Sequence, residues 1–140
     1  MSVFVIDASA TLPWCFTEEA TPGTEALLER LRSGDEAIAP AHWPSEVMNG
    51  LIMAVRRQRI AFSLVLQFAE ALAALPIHID HPSTPESWDL LLTTAVDTQL
   101  TIYDAAYLQL ARHSGAPLAT LDRELQKAAR TASIPLIELS

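Results

Sequence analysis

The chain carries one cysteine, Cys15, so an internal disulfide is impossible, and its apolar flanks (Pro13, Trp14, Phe16) mark it as a small core or boundary hydrophobe, not a reactive thiol. Histidine is sparse and scattered. His42, His78, His81 and His113 lack the close spacing of metal ligands, which argues against a zinc site and a catalytic histidine. No apolar run reaches bilayer length. The amino terminus lacks a basic segment followed by a hydrophobic stretch and a small-residue cleavage site, so the expectation is a soluble, cytoplasmic protein. Basic residues are scarce as well: nine lysines and arginines face seventeen acids, a formal charge of −8. That balance argues against nucleic-acid binding through bulk electrostatics. The bases that are present cluster as Arg56, Arg57 and Arg59, and as Arg112, Arg123, Lys127 and Arg130. Cations suit the last turn of a helix, which accounts for either cluster; a local strip beside an acidic site is the other reading. There is no repeat, low-complexity tract or Gly/Ser-rich linker, so residues 1–140 form one domain.

What is present is apolar and alternating. Half of the 140 residues are hydrophobic, enough for one core that buries roughly two thirds of the unfolded surface. Val3 to Ile6 is a buried strand running into Asp7, followed by a short turn containing Pro13. Thr24 to Leu31 has helical spacing (Leu27, Leu28, Leu31) and stops near Gly34. Ala37 to Ala39 is a short strand stopped by Pro40. Pro44 opens a helix whose core stripe is Val47, Leu51, Ile52 and Val55, with Glu46 in the first turn. Ser63 to Leu75 forms another helix, apolar on more than one side, which hints at a protein interface. Ile77 to Ile79 is the third strand. Ser83 with Glu86 reads as a capping box before a helix carrying Trp88, Leu91, Leu92 and Val96. Asp104 opens a helix that Gly115 ends, and Pro117 to Leu121 is a strand delivering Asp122. A helix from Arg123 to Ala132 and a closing strand from Pro135 to Leu139 complete the chain. The alternation predicts a single α/β sandwich with a mostly parallel sheet. Trp14, Trp43 and Trp88 are expected in core or partner contacts rather than stacked on bases.

Four acids stand at strand-to-helix junctions or in first helical turns: Asp7, Glu46, Asp104 and Asp122. Each alone is explained as a helix cap or first-turn acid, worth ~0.3–2 kcal/mol. Together they point to one edge of the sheet. Two carboxylates about 4 Å apart repel by ~4 kcal/mol at an effective dielectric near 20, so a cleft holding all four needs protons or a bound cation. An all-oxygen donor set suits Mg²⁺ or Mn²⁺.

The stretches that carry these acids are D-A-S (Asp7 to Ser9), P-S-E-V-M-N-G-L (Pro44 to Leu51), Y-D-A-A-Y-L-Q-L-A (Tyr103 to Ala111) and G-A-P-L-A-T-L-D (Gly115 to Asp122), with the last two acids eighteen positions apart. In that order they resemble the PIN-domain ribonucleases, most closely the VapC toxins of bacterial toxin–antitoxin pairs, over essentially the whole chain. The resemblance implies a PIN-like three-layer sandwich and a metal-dependent endoribonuclease, with Asp7, Glu46, Asp104 and Asp122 holding one or two Mg²⁺ or Mn²⁺ ions. All four positions are acidic here. It further implies a homodimer and a VapB-like antitoxin whose tail covers the acidic cleft. A bound divalent ion can activate water, neutralise charge on the phosphate and stabilise the leaving oxygen of RNA. Asp7, Asp104 and Asp122 are assigned as ligands, direct or through water. Glu46 is a ligand or the group that deprotonates the attacking water, and both roles stay open. Ser9 and Thr120 occupy the family's small hydroxyl positions and are candidates to orient the acids. Asn49, three residues after Glu46, is a further candidate or an ordinary packing residue. Arg112, Arg123 and Arg130 are candidate contacts to RNA. The competing readings are a non-catalytic PIN-like module that binds a protein partner and, more distantly, a phosphatase or phosphoacceptor domain. The second is disfavoured because the only lysine, Lys127, lies inside the last helix and not near a strand end.

Overall fold

β1 (Val3–Ile6) is an inner strand, and Phe4, Val5 and Ile6 are fully buried, as the centre of a parallel sheet covered on both faces requires. In this computed structural model, which describes residues 2–81 and 85–140, four strands form one all-parallel sheet. They are β1, β2 (Glu36–Pro40), β3 (Ile77–Asp80) and β4 (Leu118–Ala119), in the order β3-β2-β1-β4. Around them lie α1 (Ala8–Thr11), α2 (Pro22–Arg32), α3 (Trp43–Arg56), α4 (Phe62–Ala73), α5 (Pro85–Thr98), α6 (Ile102–Ser114) and α7 (Arg123–Thr131). The chain builds outward from β1 through β2 to β3, then returns to place β4 on the other side of β1. The strand order therefore reverses at β1, and the crevice beyond the carboxyl ends of β1 and β4 is where open parallel sheets place ligands.

The core joins the β1 residues to Leu27 and Leu31 of α2, Trp43, Val47 and Leu51 of α3, Tyr107 and Leu108 of α6, and Leu125 and Ala129 of α7. Trp43 is buried and donates to Thr11 Oγ1 (3.1 Å), and Trp14 packs at the core margin with its indole N–H on Thr24 O (2.8 Å). Trp88 lies outside the core on α5, beside exposed Leu90, Leu92 and Val96. α4 likewise buries Val65 and Leu72 and exposes Phe62, Leu64 and Leu66.

Several boundaries differ from those read in the sequence, each for a local reason. The segment after β1 is helical, because Asp7 caps α1 and Pro13 sits in the 3₁₀ turn Leu12–Trp14 that follows. α6 starts at Ile102 and not at Ala105: Thr101 is its cap, accepting the Asp104 N–H at 3.1 Å, so Asp104 lies inside the first turn. Gly115, at φ +61°, ends α6 in the left-handed conformation that glycine adopts without strain. The expected closing strand is reduced to one bridge, Leu118 with Leu136, because β4 offers only two residues to pair with. Beyond the bridge the tail turns to α2, where Thr21 Oγ1 donates to Leu139 O and the Gly23 N–H to Ser140 O. The capping box read at Ser83 lies outside the described residues.

Gly23 is where that tail closes on α2, since a Cβ there would lie 2.4 Å from the Leu139 carbonyl carbon. Alanine is the better helix former by about 1 kcal/mol, yet overpacking against backbone costs about 1–3 kcal/mol, so the clash wins. Gly23→Ala is expected to lower the urea unfolding midpoint; an unchanged or higher midpoint would show that the tail is not held there.

Candidate active site

Asp7 and Thr120 are the next positions along two paired strands. The register Val5 with Leu118 and Ile6 with Ala119, continued by the Asp7 N–H on Ala119 O at 3.2 Å, sets their side chains side by side. Asp7 Oδ1 accepts the Ala10 N–H (3.0 Å) and the Ser9 hydroxyl (2.7 Å), while Oδ2 accepts the Thr120 hydroxyl. Ser9 Oγ also accepts the Leu121 N–H (2.8 Å), and Thr120 Oγ1 the Asp122 N–H (3.0 Å). The two hydroxyls named in the sequence thus lock the end of β1 to the end of β4. Asp7 is 5 % exposed, and burial pushes its carboxyl up to about 6 against the pull of those hydrogen bonds, with a further small push from the charge of Glu46.

Asp122 caps α7, its Oδ1 accepting the Leu125 N–H at 2.9 Å. Asp104 projects from the first turn of α6. Its carboxyl is raised first by partial burial and then by the negative charges of Asp122 and Glu46, with His42 and Thr101 opposing. The capping explanation therefore holds for Asp7 and Asp122, yet the acids also feel one another. Glu46 meets two groups at one oxygen: the Tyr107 hydroxyl donates to Oε1 at 2.6 Å, and His42 Nε2 lies 3.1 Å from the same atom. Tyr107 is 1 % exposed, and burial, reinforced by Glu46, pushes its phenol far above its ordinary range.

Sequence reasoning missed both Tyr107 and His42. The available signal was spacing, because Tyr107 follows Asp104 by three residues and His42 precedes Glu46 by four, which puts each pair on one side of its helix. Asn49 is exposed and makes no hydrogen bond to Glu46. Of the three arginines, Arg123 is the first residue of α7, directly after Asp122. Arg112 and Arg130 lie in the last turns of α6 and α7; Arg112 is about 12 Å along the axis from Asp104 at 1.5 Å per residue. Asp104 also borders a cleft of about 440 Å³ lined by Glu124 and Lys127 of α7 and by Gln99 and Leu100 of the α5–α6 turn.

The chemistry of the donor set fits a hard divalent cation: the four acids offer only oxygens, and burial followed by the charges of Asp122 and Glu46 lifts Asp104. Among the described residues no three His, Cys, Asp or Glu side chains stand close enough, as arranged, to enclose an ion by themselves.

Known proteins resemble this chain in sequence and in fold. The PIN-domain family model matches residues 4–131. Ribonuclease VapC12 of Mycobacterium tuberculosis is 34 % identical over 140 residues, covering 96 % of this chain and 99 % of the relative. The crystal structure of PAE2754 from Pyrobaculum aerophilum has the same fold, with a TM-score of 0.69 at 24 % identity over 91 % of this chain and 87 % of that one. So does VapBC2 from Rickettsia felis, solved bound to a DNA fragment from their promoter, with a TM-score of 0.65 at 14 % identity over 96 % of both chains. A family model spanning nearly all of the sheet and helices, with a relative about one-third identical from end to end, makes the chain a member of the PIN-domain family.

Proposed function

We propose that this chain is a metal-dependent endoribonuclease, the toxin of a toxin–antitoxin pair, using Mg²⁺ or Mn²⁺ held by Asp7, Glu46, Asp104 and Asp122. The observation that carries this reading is electrostatic: beyond the effect of burial, Asp104 feels the charges of Asp122 and Glu46, and Asp7 that of Glu46, which supports a grouping of acids from four separate segments beside the reversal of strand order. Relationship to a ribonuclease over nearly full length supports the substrate class.

When bound, the ion supplies Lewis-acid neutralisation of the phosphate and the leaving oxygen. The chain's residues do the rest. Asp104 and Asp122 stand at the starts of α6 and α7, and Asp7 is fixed at the end of β1 by Ser9 and Thr120. Glu46 either completes the ligand set or takes the proton of the attacking water. Arg123, beside Asp122, is placed to meet a phosphate; Arg112 and Arg130 lie too far along their helices for the same scissile group. An antitoxin with a basic segment would satisfy the acids through charge-assisted hydrogen bonds. The exposed apolar residues of α4 and α5 support a homodimer. Among the described residues no helix is long and apolar enough to cross a membrane, which is compatible with work in the cytoplasm.

Purified chain freed of any partner, incubated with total RNA and Mn²⁺, is expected to give discrete fragments that disappear with EDTA. Asp104→Asn is expected to slow cleavage by a factor of about 100 or more, since it removes one charge from the set that holds the ion. Intact RNA with folded, metal-binding protein would favour a non-catalytic binding module instead.

The same site makes a stability prediction in metal-free protein. The carboxyl of Asp7 rises from 3.8 to about 6 on folding, so the folded state holds its proton longer than the unfolded state does. Stability from this group is complete below about pH 4 and is lost as pH rises through 6, a change of roughly 3 kcal/mol. Asp7→Asn is therefore expected to unfold at a higher temperature than the parent at pH 8, with the gap closing near pH 4. A parent equally stable at both pH values relative to the variant would refute this.

A further inference from the structure

Glu46 reaches the crevice from α3, a long flexible side chain among three shorter aspartates, and its orientation is set by two groups to which the proposed chemistry gives no part. Tyr107 lies on α6, one turn beyond Asp104, and its hydroxyl crosses to α3 to donate to Oε1 of Glu46 at 2.6 Å. His42, which precedes α3, brings Nε2 to 3.1 Å from the same Oε1. That nitrogen is fully buried and has no hydrogen-bond partner among the described residues, and the Glu46 Oε1 lies within hydrogen-bonding distance of it. The imidazole is confined by the rings of Tyr103 and Tyr107, whose centroids lie 5.3 and 5.1 Å from its own. Both contacts fall on one oxygen. Oε2 accepts no hydrogen bond among the described residues and is the oxygen left to face an ion or a water.

We infer that Tyr107 and His42 are positioning residues that clamp Oε1 of Glu46, so that Glu46 enters the reaction through Oε2. A glutamate in a partly exposed cleft would otherwise sample many rotamers, and a carboxylate held in one direction needs no reorganisation when charge develops opposite it. Tyr107 suits the task because its buried hydroxyl makes no other hydrogen bond among the described residues: turning Glu46 away would leave it unsatisfied there. His42 stands beside the same oxygen. The clamp also joins α3 to α6, so the acid from the β2 side of the sheet is held at a fixed offset from Asp104 on α6.

This inference rests on the reading of Glu46 as part of the metal-dependent site, and the test separates the two. Cleavage kinetics and Mn²⁺ dissociation constants are measured by titration for the parent, Tyr107→Phe, His42→Gln, His42→Leu, Glu46→Gln and Tyr107→Phe combined with Glu46→Gln. Unfolding midpoints are recorded for each. Tyr107→Phe is expected to lower kcat about 10-fold or more with KM within about twofold, and to weaken Mn²⁺ binding. In the Glu46→Gln background the same change is expected to alter both quantities by less than about twofold, because the clamp has lost the charge it positions. His42→Gln, which keeps an N–H donor, is expected to retain more activity than His42→Leu. Should Tyr107→Phe not fold, His42→Leu takes its place in the same cycle. Equal losses in both backgrounds, or no loss in the parent, would overturn the inference. Absence of any RNA cleavage by the parent would sink the nuclease reading alone; the cycle on Mn²⁺ affinity then decides the clamp by the same criteria.

Discussion

The parallel pairing of β1 with β4 is the constraint on which the rest of the site depends. It is short, two paired positions extended by one backbone bond, yet it fixes Asp7 against Thr120 and so ties the first seven residues of the chain to a segment more than a hundred residues later. Every other acid is placed relative to that joint. Asp122 follows Thr120 by two residues and starts α7, while α6 packs against β1, β2 and β4 and carries Asp104 to the same edge. A register slip of one residue would turn Thr120 away from Asp7 and bury Asp122 or expel it. The hydroxyls of Ser9 and Thr120 guard against this, since each accepts a backbone N–H from the β4 side while donating to Asp7 or lying beside it.

The price of that placement is an acid where the fold would prefer a neutral group. Asp7 is buried, and three hydrogen bonds do not fully replace the water it gives up. Asp104 is disfavoured twice, by burial and by neighbours of the same sign. Both costs run against folding and both would be relieved by a cation, which is the pattern expected where stability has been given up for a binding site. A purely structural N-cap needs neither burial nor a second carboxylate nearby.

Most of the fold is legible in the sequence because its signals are local. The strand running into Asp7, the Pro44 in the first turn of α3 and the Gly115 stop of α6 depend on residues within a few positions, whereas the strand read from Pro117 to Leu121 shrinks to Leu118–Ala119. What is not legible depends on partners far away. Nothing between Pro135 and Leu139 shows that β4 would offer only one bridge, or that Thr21 and Gly23 would take the tail instead. Trp88 and Val96 have helical spacing indistinguishable from a core stripe, and only tertiary packing reveals that α5 turns them outward. The four acids are visible in the sequence because each stands at a strand-to-helix junction or in a first helical turn, whereas Ser9 and Thr120 come into view only through the resemblance to the PIN-domain ribonucleases. Tyr107 is hidden by its own chemistry: in a run of apolar helix positions a buried tyrosine reads as core, and its hydroxyl acquires meaning only once α3 is beside it.

The acidic balance of the chain and an anionic substrate are reconciled by where the cations are spent. Arg30 pairs with Asp35 at 2.8 Å and lies over Phe4, and Arg59 pairs with Glu18 and Glu19 over Phe16, so these guanidiniums are committed to the fold. Near the acids stand Arg123 and, across the cleft beside Asp104, Lys127. The four acids, with Asp97 and Glu124 lining the same cleft as Lys127, outnumber these two cations, so on the proposed reading RNA would gain access there only with the ion in place, whereas a basic peptide would gain access without it. On the proposed reading, metal and a basic antitoxin segment would compete for the same charges, with the substrate on the side of the metal. The inhibitor then needs no shape in common with RNA; it needs the opposite charge, at the place where the fold has concentrated its own.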